Sequence, residues 1–416
     1  MELLSEIWQT AQRNKLRTSL TGFAVAWGIF MLIVLLGAGN GLINAQMENN
    51  DRWVDNSMMV FGGMTSKAYD GLKEGRDITL DNNDLQTTQS RFTQNIDKAG
   101  GILYEGGATI AVGENYVSSS LRGVYPIDAE INKTKLVCGR FINEIDIRDR
   151  RKVLIVSENQ ARELLPHRPL SLLGQTVRVG QMAFTVVGIE QEDKSRMSTD
   201  VHVPFSTLQA IYNRGNQIGR IAFTFHGLAT EKENEVFEAR YRATINRQHR
   251  AAPDDEEAIW IWNRFTQAMQ MATGMNIIRT ALWVIGLFTL LSGIVGVSNI
   301  MLITVRERIR EFGIRKAIGA SPASILRIII CESIIVTGFF GYIGMLLGIV
   351  ADLYMDATLG SQPIETGLFT TTVFVNPTVS LTTCIGVTAV LVIAGTIAGF
   401  MPALKAARVR PVEALR

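Results

Sequence analysis

Long apolar stretches alternate with polar segments along the chain, and four of them are long enough to cross a membrane. About 20 helical residues span the roughly 30 Å of hydrocarbon in a bilayer. The stretches are Ser19–Ile43, Ile277–Ile303, Ile325–Leu353 and Thr378–Met401. They predict a membrane α-helical protein with four transmembrane helices, over 18–43, 276–304, 325–353 and 378–401. The first stretch is too long for the apolar region of a signal peptide, so we expect an uncleaved anchor.

The polar segment 44–275 has the alternating pattern of a folded domain. Runs rich in β-branched residues, bounded by Gly or charged residues, predict strands at 152–158, 176–180 and 183–190. Helical spacing predicts helices at 159–165, 206–212 and 231–247. The segment is therefore predicted to be a large α+β domain. Because it is long for a single hydrophobic core, we expect two lobes.

Basic residues cluster beside the apolar stretches, whereas no Lys or Arg occurs between Ile328 and Met401. Lys and Arg next to membrane spans mark the cytoplasmic side. The clusters lie before the first span, in the loop 305–324 and in the tail 402–416. Both termini are thus predicted to be cytoplasmic, with 44–275 and the connection 354–377 outside. Residues 1–17 predict a helix lying in the membrane interface, with an ordinary lead-in to the first span as the alternative.

The sequence offers no catalytic chemistry. It contains no G-x-S-x-G, H-E-x-x-H or G-x-x-x-x-G-K-[ST] motif, and its three Cys and four His have no metal-ligand spacing. The carboxylates at 146, 149 and 254–257 are interpreted as solvated surface groups. Trp260 and Trp262 would share a strand face and are interpreted as packing residues, with a ligand platform as the alternative. No catalytic, cofactor-binding or metal site is predicted on this chain.

The loop 305–324 carries the candidate functional site. Its residues are Arg306, Glu307, Arg310, Glu311, Gly313, Arg315, Lys316 and Gly319. We expect the second span to continue to about Phe312 and a short helix to follow over Ile314–Ile318. Ser321 is predicted to cap the next helix. A short charged helix in the cytoplasm suits docking in a groove of a partner; the alternative is a polar loop on lipid headgroups.

Polar and small residues within the spans suggest how the helices pack. Small residues four apart allow close helix approach in lipid, and they occur in each span, at Gly37 and Gly41, Ser292 and Gly296, Gly344 and Gly348, and Gly395 and Gly399. Glu332 lies about one turn inside the third span. A charge buried there is costly without a partner, so we expect an ion pair with Arg315 or Lys316. Asp352 is expected at the outer interface.

Several segments together resemble one known family. The run 298–333, the tail 402–416 and the entry to the first span, KLRTSLT, are similar to MacB-type/FtsX-like ABC transporter permeases. The segments 139–165 and 173–190 resemble the periplasmic core of that family. The resemblance implies a MacB-like core domain over 44–275, with a porter-like lobe and an inserted lobe at about 135–204. It also implies that the loop couples the chain to an ATPase.

The resemblance further implies an inner-membrane permease subunit that is not itself an enzyme. It would dimerise, as a homo- or heterodimer, and bind a separate ABC ATPase that carries the ATP and Mg. Mechanotransmission would drive efflux of a hydrophobic or amphipathic substrate through a periplasmic adaptor and an outer-membrane channel. The alternatives are a lipoprotein-releasing permease, an FtsX-like regulator of a cell-wall hydrolase, and a sensor without transport. No nucleic-acid partner is expected.

Overall fold

The computed structural model describes residues 15–50, 53–192, 200–360, 363–365, 370–372 and 374–407. These residues divide into two compact units. The helical unit takes in the chain up to Glu48 together with most of the chain after Gly274, and the sheet domain takes in Asn49–Thr273. The predicted interfacial helix and cytoplasmic tail lie largely outside the described residues, as does a smaller part of the connection 354–377.

The described elements follow one another in a simple order. The first helix, α1, spans Lys15–Asn50. The sheet domain follows with β1 (Ser57–Gly62), β2 (Leu80–Asp81), α2 (Asn82–Arg91), β3 (Ile96–Val112), β4 (Asn115–Val124), α3 (Ile127–Ile131), β5 (Leu136–Gly139), α4 (Glu144–Arg148), β6 (Val153–Ser157), α5 (Glu158–Leu164), β7 (Thr176–Val179), β8 (Met182–Glu190), β9 (Val201–Pro204), α6 (Phe205–Ile211), β10 (Gln217–Ile218), β11 (Arg220–Phe225), α7 (Glu231–Gln248) and β12 (Ile259–Asn263). The chain ends with α8 (Arg264–Glu307), α9 (Ile309–Ala317), α10 (Pro322–Leu359), β13 (Pro363–Glu365), β14 (Thr370–Thr372) and α11 (Leu381–Ala407).

A ten-stranded sheet organises the sheet domain. Nine strands follow the order β12-β1-β11-β3-β4-β9-β6-β8-β5, and β7 pairs with β3 and β8. The pairs β4–β9 and β6–β8 are parallel, and the other ladders are antiparallel. The predicted strands and helices of this segment are confirmed. The strands of the predicted inserted lobe, 135–204, belong to this same sheet. The sheet order alone therefore does not divide the domain, and the two lobes stay a prediction.

Local sequence signals start several helices of the sheet domain. Capping boxes, in which two residues three apart bond each other's backbone amides, begin α2, α4, α5 and α7. At α7, the Thr230 hydroxyl accepts from the backbone N–H of Glu233, whose carboxylate accepts from the backbone N–H of Thr230. This reciprocal bonding satisfies amides that have no partner within a helix. It explains why this polar helix begins where the sequence indicates.

Among the residues that the structure describes, the helical unit contains four helices long and apolar enough to cross a membrane: α1, α8, α10 and α11. This confirms the four predicted apolar helices. Of these, α1 is the most enclosed, and its Val25, Ile29 and Ile33 are fully buried. The other three present large apolar side chains such as Phe288, Val350 and Ile397 outward. An apolar exterior of this kind suits a lipid environment.

Small residues lie where these helices approach one another. A Cβ added at Gly344 would lie 2.4 Å from the Ala26 carbonyl oxygen, and one at Gly348 would lie 2.9 Å from Ile33 Cβ. Likewise, the predicted packing glycines of α11 face Thr337 and Ser333 of α10: these are Gly395 and Gly399. Any larger residue would force these pairs apart, because a core packed this closely has no room to absorb it.

Of the predicted pair Ser292 and Gly296, only Gly296 packs within the helical unit. Ser292 is exposed, whereas Gly293, one residue later, is buried. A Cβ at Gly293 would lie 3.7 Å from Leu391 of α11, and one at Gly296 would lie 3.3 Å from Ala24 of α1. Successive helix residues point about 100° apart, so Ser292 and Gly293 lie on different faces of α8.

Asp352 is buried between helices, and its predicted position at the outer membrane interface stays a prediction. Its side chain has 2% exposure, and a Cβ added at Gly37 of α1 would lie 2.3 Å from its Oδ1. Among the described residues, neither of its carboxylate oxygens has a hydrogen-bond partner. Its burial depends on Gly37, because that position leaves the space that the carboxylate fills.

Candidate functional site

The charged loop between α8 and α10 forms a separate helix. The second long helix ends at Glu307, and α9 follows after a single break at Arg308, whose backbone has φ −92° and ψ 8°. The prediction of a continuous helix to Phe312 and a short helix over Ile314–Ile318 was therefore wrong. Gly313 lies inside α9 and is buried beside Phe312, so it acts as a small packing residue and not as a helix breaker.

An ion-pair network fastens α9 to the start of α10. Arg308 Nη1 lies 2.9 Å from Glu332 Oε2, and two further nitrogens of Arg308 donate to the two oxygens of Glu311 at 2.9 and 3.0 Å. Arg315 binds Glu311 from the next turn at 2.9 Å. The guanidinium of Arg308 also lies 5.2 Å from the ring centroid of Phe312. Arg308 thus contacts both helices at once.

This network gives Glu332 a partner that the sequence analysis did not name. Arg308 makes a 2.9 Å ion pair with it, and the expected pairing with Arg315 or Lys316 stays a prediction. The side chains of Arg308 and Glu332 are 12% and 13% exposed, so the pair is largely removed from water. Sequence reasoning missed Arg308 among the site residues, although its spacing of three from Glu311 was a usable signal.

The opposite side of α9 is exposed and apolar at two positions. Ile314 is 44% exposed, and Ile318, the residue that directly follows the last turn of α9, is 82% exposed; they lie four residues apart. Arg310, a further turn back, is also exposed, as are Arg306, Glu307 and Gly319 at the two ends of the loop. Side chains at i and i+4 share a helix face. The two isoleucines, which the sequence analysis did not single out, therefore form one apolar patch beside a cation.

The turn after α9 holds this helix at a defined angle to α10. Gly319 has φ +105°, a conformation that other residues rarely adopt. Ser321 then caps α10, its hydroxyl accepting from the backbone N–H of Ser324, with Pro322 in the first turn. This part of the prediction is confirmed. The cap and the glycine turn limit how far α9 can swing without breaking hydrogen bonds.

The carboxylate clusters of the sheet domain are solvated as predicted at four positions: Asp149, Asp254, Glu256 and Glu257 are exposed. The exceptions are Asp146 and Asp255, which are fully buried. Burial alone would raise the pKa of Asp146, but hydrogen bonds from Arg140 and from the backbone of Asn143 hold it below its ordinary value. Asp255 accepts from the backbone and the hydroxyl of Ser66. Their hydrogen bonds join segments of the chain and leave no catalytic arrangement. Within the described residues no group of His, Cys, Asp and Glu could hold a metal ion.

Comparison with known families gives matches to both units. Residues 18–235 match the MacB-like periplasmic core domain, and residues 283–411 match the FtsX-like permease C-terminal family. The first match alone covers more than half of the chain. Together the two matches cover the first apolar helix, most of the predicted outer domain and most of the last three apolar helices; residues 236–282 lie in neither match.

Curated relatives and one solved structure are similar over most of this chain. It is 27% identical to the macrolide export ATP-binding/permease protein MacB of Bartonella quintana, over 97% of this chain and 57% of the relative. It is 28% identical to the pyoverdine export ATP-binding/permease protein PvdT of Pseudomonas syringae, over 100% of this chain and 59% of the relative. The chain thus spans less than two thirds of these relatives. The crystal structure of the periplasmic region of MacB from Actinobacillus actinomycetemcomitans is similar at TM-score 0.43 and 20% identity, over 54% of this chain and 97% of that one.

Proposed function

Because this chain belongs to the ABC transporter permeases with a MacB-like periplasmic core domain and an FtsX-like C-terminal region, we propose that it couples a separate ATPase subunit to movement of that domain. The observation that carries the proposal is the exposed face of α9. It presents Ile314, Ile318 and Arg310, while its buried side is fastened to α10 through Arg308. An amphipathic helix of this kind suits a hydrophobic groove on a partner, with apolar anchors at i and i+4.

The ion-pair network behind α9 would let this helix transmit a displacement to α10. A push on Ile314 and Ile318 reaches α10 through Arg308 and Glu332 and through the capped turn at Ser321. A rigid connection transmits displacement better than a flexible loop, since fewer soft dihedral angles can absorb it. In this proposal nucleotide-driven motion of the ATPase displaces α9, the apolar helices shift, and the core domain follows. The protein would work as a dimer in the inner membrane, with the termini and α9 in the cytoplasm.

We infer that the work done is efflux of a hydrophobic or amphipathic substrate, with a periplasmic adaptor and an outer-membrane channel as partners. The curated relatives that match across nearly the whole of this chain are named as exporters of macrolides and of pyoverdine. Those relatives are also named as ATP-binding proteins. The 416-residue sequence carries no phosphate-binding loop motif, so ATP and Mg would be held by the partner subunit.

The docking proposal can be tested by placing a carboxylate on the exposed face. Ile318→Asp should abolish co-purification of the ATPase from the native host in mild detergent, because a charge would be buried in the contact. Ala323→Asp is the matched control, since Ala323 is also exposed in this loop but lies outside the α9 face. Retention of the ATPase by the Ile318 variant would refute the docking face. Loss of the ATPase in both variants would show only a general charge effect and would also contradict it.

The efflux proposal has its own readout. Adaptor and channel should co-purify with the wild-type complex, and the Ile318 variant should accumulate substrate inside cells. Recovery of a cell-wall hydrolase or a lipoprotein carrier in place of the adaptor would overturn efflux while leaving the ATPase docking face intact.

A further inference from the structure

The sheet domain contains a cavity of about 200 Å³ on the sheet face that carries Trp262. The strand register assembles its lining. Trp262 of β12 pairs with Met59 of β1, and Tyr104 of β3 pairs with Arg122 of β4, which pairs in turn with His202 of β9. Directly paired residues of neighbouring strands lie on the same face of a sheet. Aromatic rings and guanidinium groups therefore meet on one surface, although they are distant in sequence.

Arg220 is the distinctive member of this lining. Its guanidinium carbon lies 4.8 Å from the ring centroid of Phe61 and 4.9 Å from that of Tyr104. Within the described residues, no carboxylate oxygen lies within ion-pair distance of it. Ring faces balance part of its charge without using its N–H donors, which lie in the guanidinium plane. Arg220 is thus held in place with donors suited to a planar acid group.

The other charged groups at the cavity have contacts of their own. Arg122 binds Asp128 at 2.6 Å, and Glu190 contacts His202 at 3.0 Å. Arg264 lies over the rings of Trp53 and Trp262, at 4.8 and 5.3 Å. Asp200 also lines the cavity, so its charges come close to balance. Net charge therefore cannot select between ligands, and the positions of the individual charged groups must do so. Arg220 is the cation best placed to bind a new acid group.

We propose that this cavity binds a small amphipathic organic anion, of the class of single-ring aromatic carboxylates. The acid group would bind Arg220, and the ring would pack against Met59 and the indole of Trp262. The volume is below the roughly 300 Å³ at which drug-sized sites begin, which limits the occupant to about one ring. In this proposal the indole face of Trp262 contacts a ligand in addition to packing against the protein. The site is independent of the permease role proposed above.

Benzoate binding to the full chain in lipid nanodiscs tests the proposal by titration calorimetry. Benzoate should bind saturably, whereas benzyl alcohol and acetate, which each lack one half of the ligand, should not. Arg220→Gln should weaken benzoate about tenfold to a hundredfold, the range expected for a lost hydrogen bond to a charged group. Arg240→Gln is the matched control, because Arg240 also lies over an aromatic ring, that of Phe92, but outside this cavity.

A second measurement needs no variant and so does not depend on the folding of Arg220→Gln. In the wild-type chain, benzoate should protect Arg220 from modification by phenylglyoxal, read by peptide mass spectrometry, while Arg240 reacts at an unchanged rate. Absence of saturable benzoate binding, equal loss in the Arg240 variant, or no protection of Arg220 would each overturn the proposal. Binding of benzylamine in place of benzoate would show that the carboxylates of the cavity bind the charged group of the ligand. That result would also overturn the proposal.

Discussion

Removal of either charge from the Arg308–Glu332 pair should destabilise the helical unit, and the two losses should be unequal. Arg308→Gln leaves Glu332, which is 13% exposed, without the cation 2.9 Å away. Breaking a fully buried ion pair from one side costs about 3 to 5 kcal/mol. Because this pair keeps some contact with water, we expect a loss of about 2 to 3 kcal/mol. The same substitution also removes both hydrogen bonds to Glu311.

Glu332→Gln should cost less. Arg308 would still donate two hydrogen bonds to Glu311, so its charge would stay paired. The new amide oxygen could also accept from Arg308, so the expected loss is about 1 kcal/mol, the scale of one weakened hydrogen bond. In the double variant the two amides can bond each other. The double-mutant cycle should therefore show a coupling free energy of about 1 kcal/mol or more.

Thermal unfolding in detergent provides the assay, followed with a thiol-reactive dye. Cys384 is buried and Cys331 is partly buried in the helical unit, so both become reactive as its helices separate. Equal losses from the two single variants, or a cycle that is additive within about 0.5 kcal/mol, would refute the reasoning. If displacement of α9 reaches α10 through Arg308, Arg308→Gln should also lower ATPase stimulation while leaving the ATPase bound.

Two further predictions concern packing and pH. Gly344→Ala should lower the unfolding midpoint, with a loss of about 1 to 3 kcal/mol, because its Cβ would lie 2.4 Å from the Ala26 carbonyl oxygen. The control is Gly338→Ala, which should leave the midpoint unchanged or slightly higher, because nothing lies within 4 Å of the added Cβ. Equal shifts in the two variants would contradict this prediction. His249 has a raised pKa because it hydrogen-bonds Asp84 at 2.8 Å; its contribution to stability should be complete below the unfolded pKa of about 6.5 and lost as pH rises through the folded pKa. A His249→Gln variant should lack this fall in midpoint, and an unchanged pH profile would show that the pair contributes nothing.

Patterns with a short period predicted much of this fold. The four apolar helices follow from hydropathy, because about 20 residues without charge have few other stable environments. Helix starts such as Thr230 and Ser321 were readable, since a cap depends on residues within one turn. The charged loop between the second and third apolar helices was readable for the same reason, as charge next to apolar spans is a local signal.

The sequence was less informative wherever a contact joined distant positions. It did not name Arg308 as a partner of Glu332, because the two residues are 24 positions apart. It also placed the helix break beyond Phe312, because Gly313 resembles a breaker until its buried position is known. It did not single out Gly293, which is buried, because hydropathy cannot resolve the packing face of a helix that is apolar nearly all round.

By itself, then, the sequence determined the number of apolar helices, the presence of an α+β domain between the first two, and the charged loop that carries the candidate site. Only the tertiary structure decided that Arg308 joins α9 to Glu332, that Ile314 and Ile318 are exposed, and that Arg220 meets Tyr104 across the sheet. The physical reason is the distance along the chain over which each kind of interaction acts. Burial, capping and charge beside a membrane depend on neighbours in the chain, whereas ion pairs and cavities depend on strand register and helix rotation, which the packing of the whole unit sets.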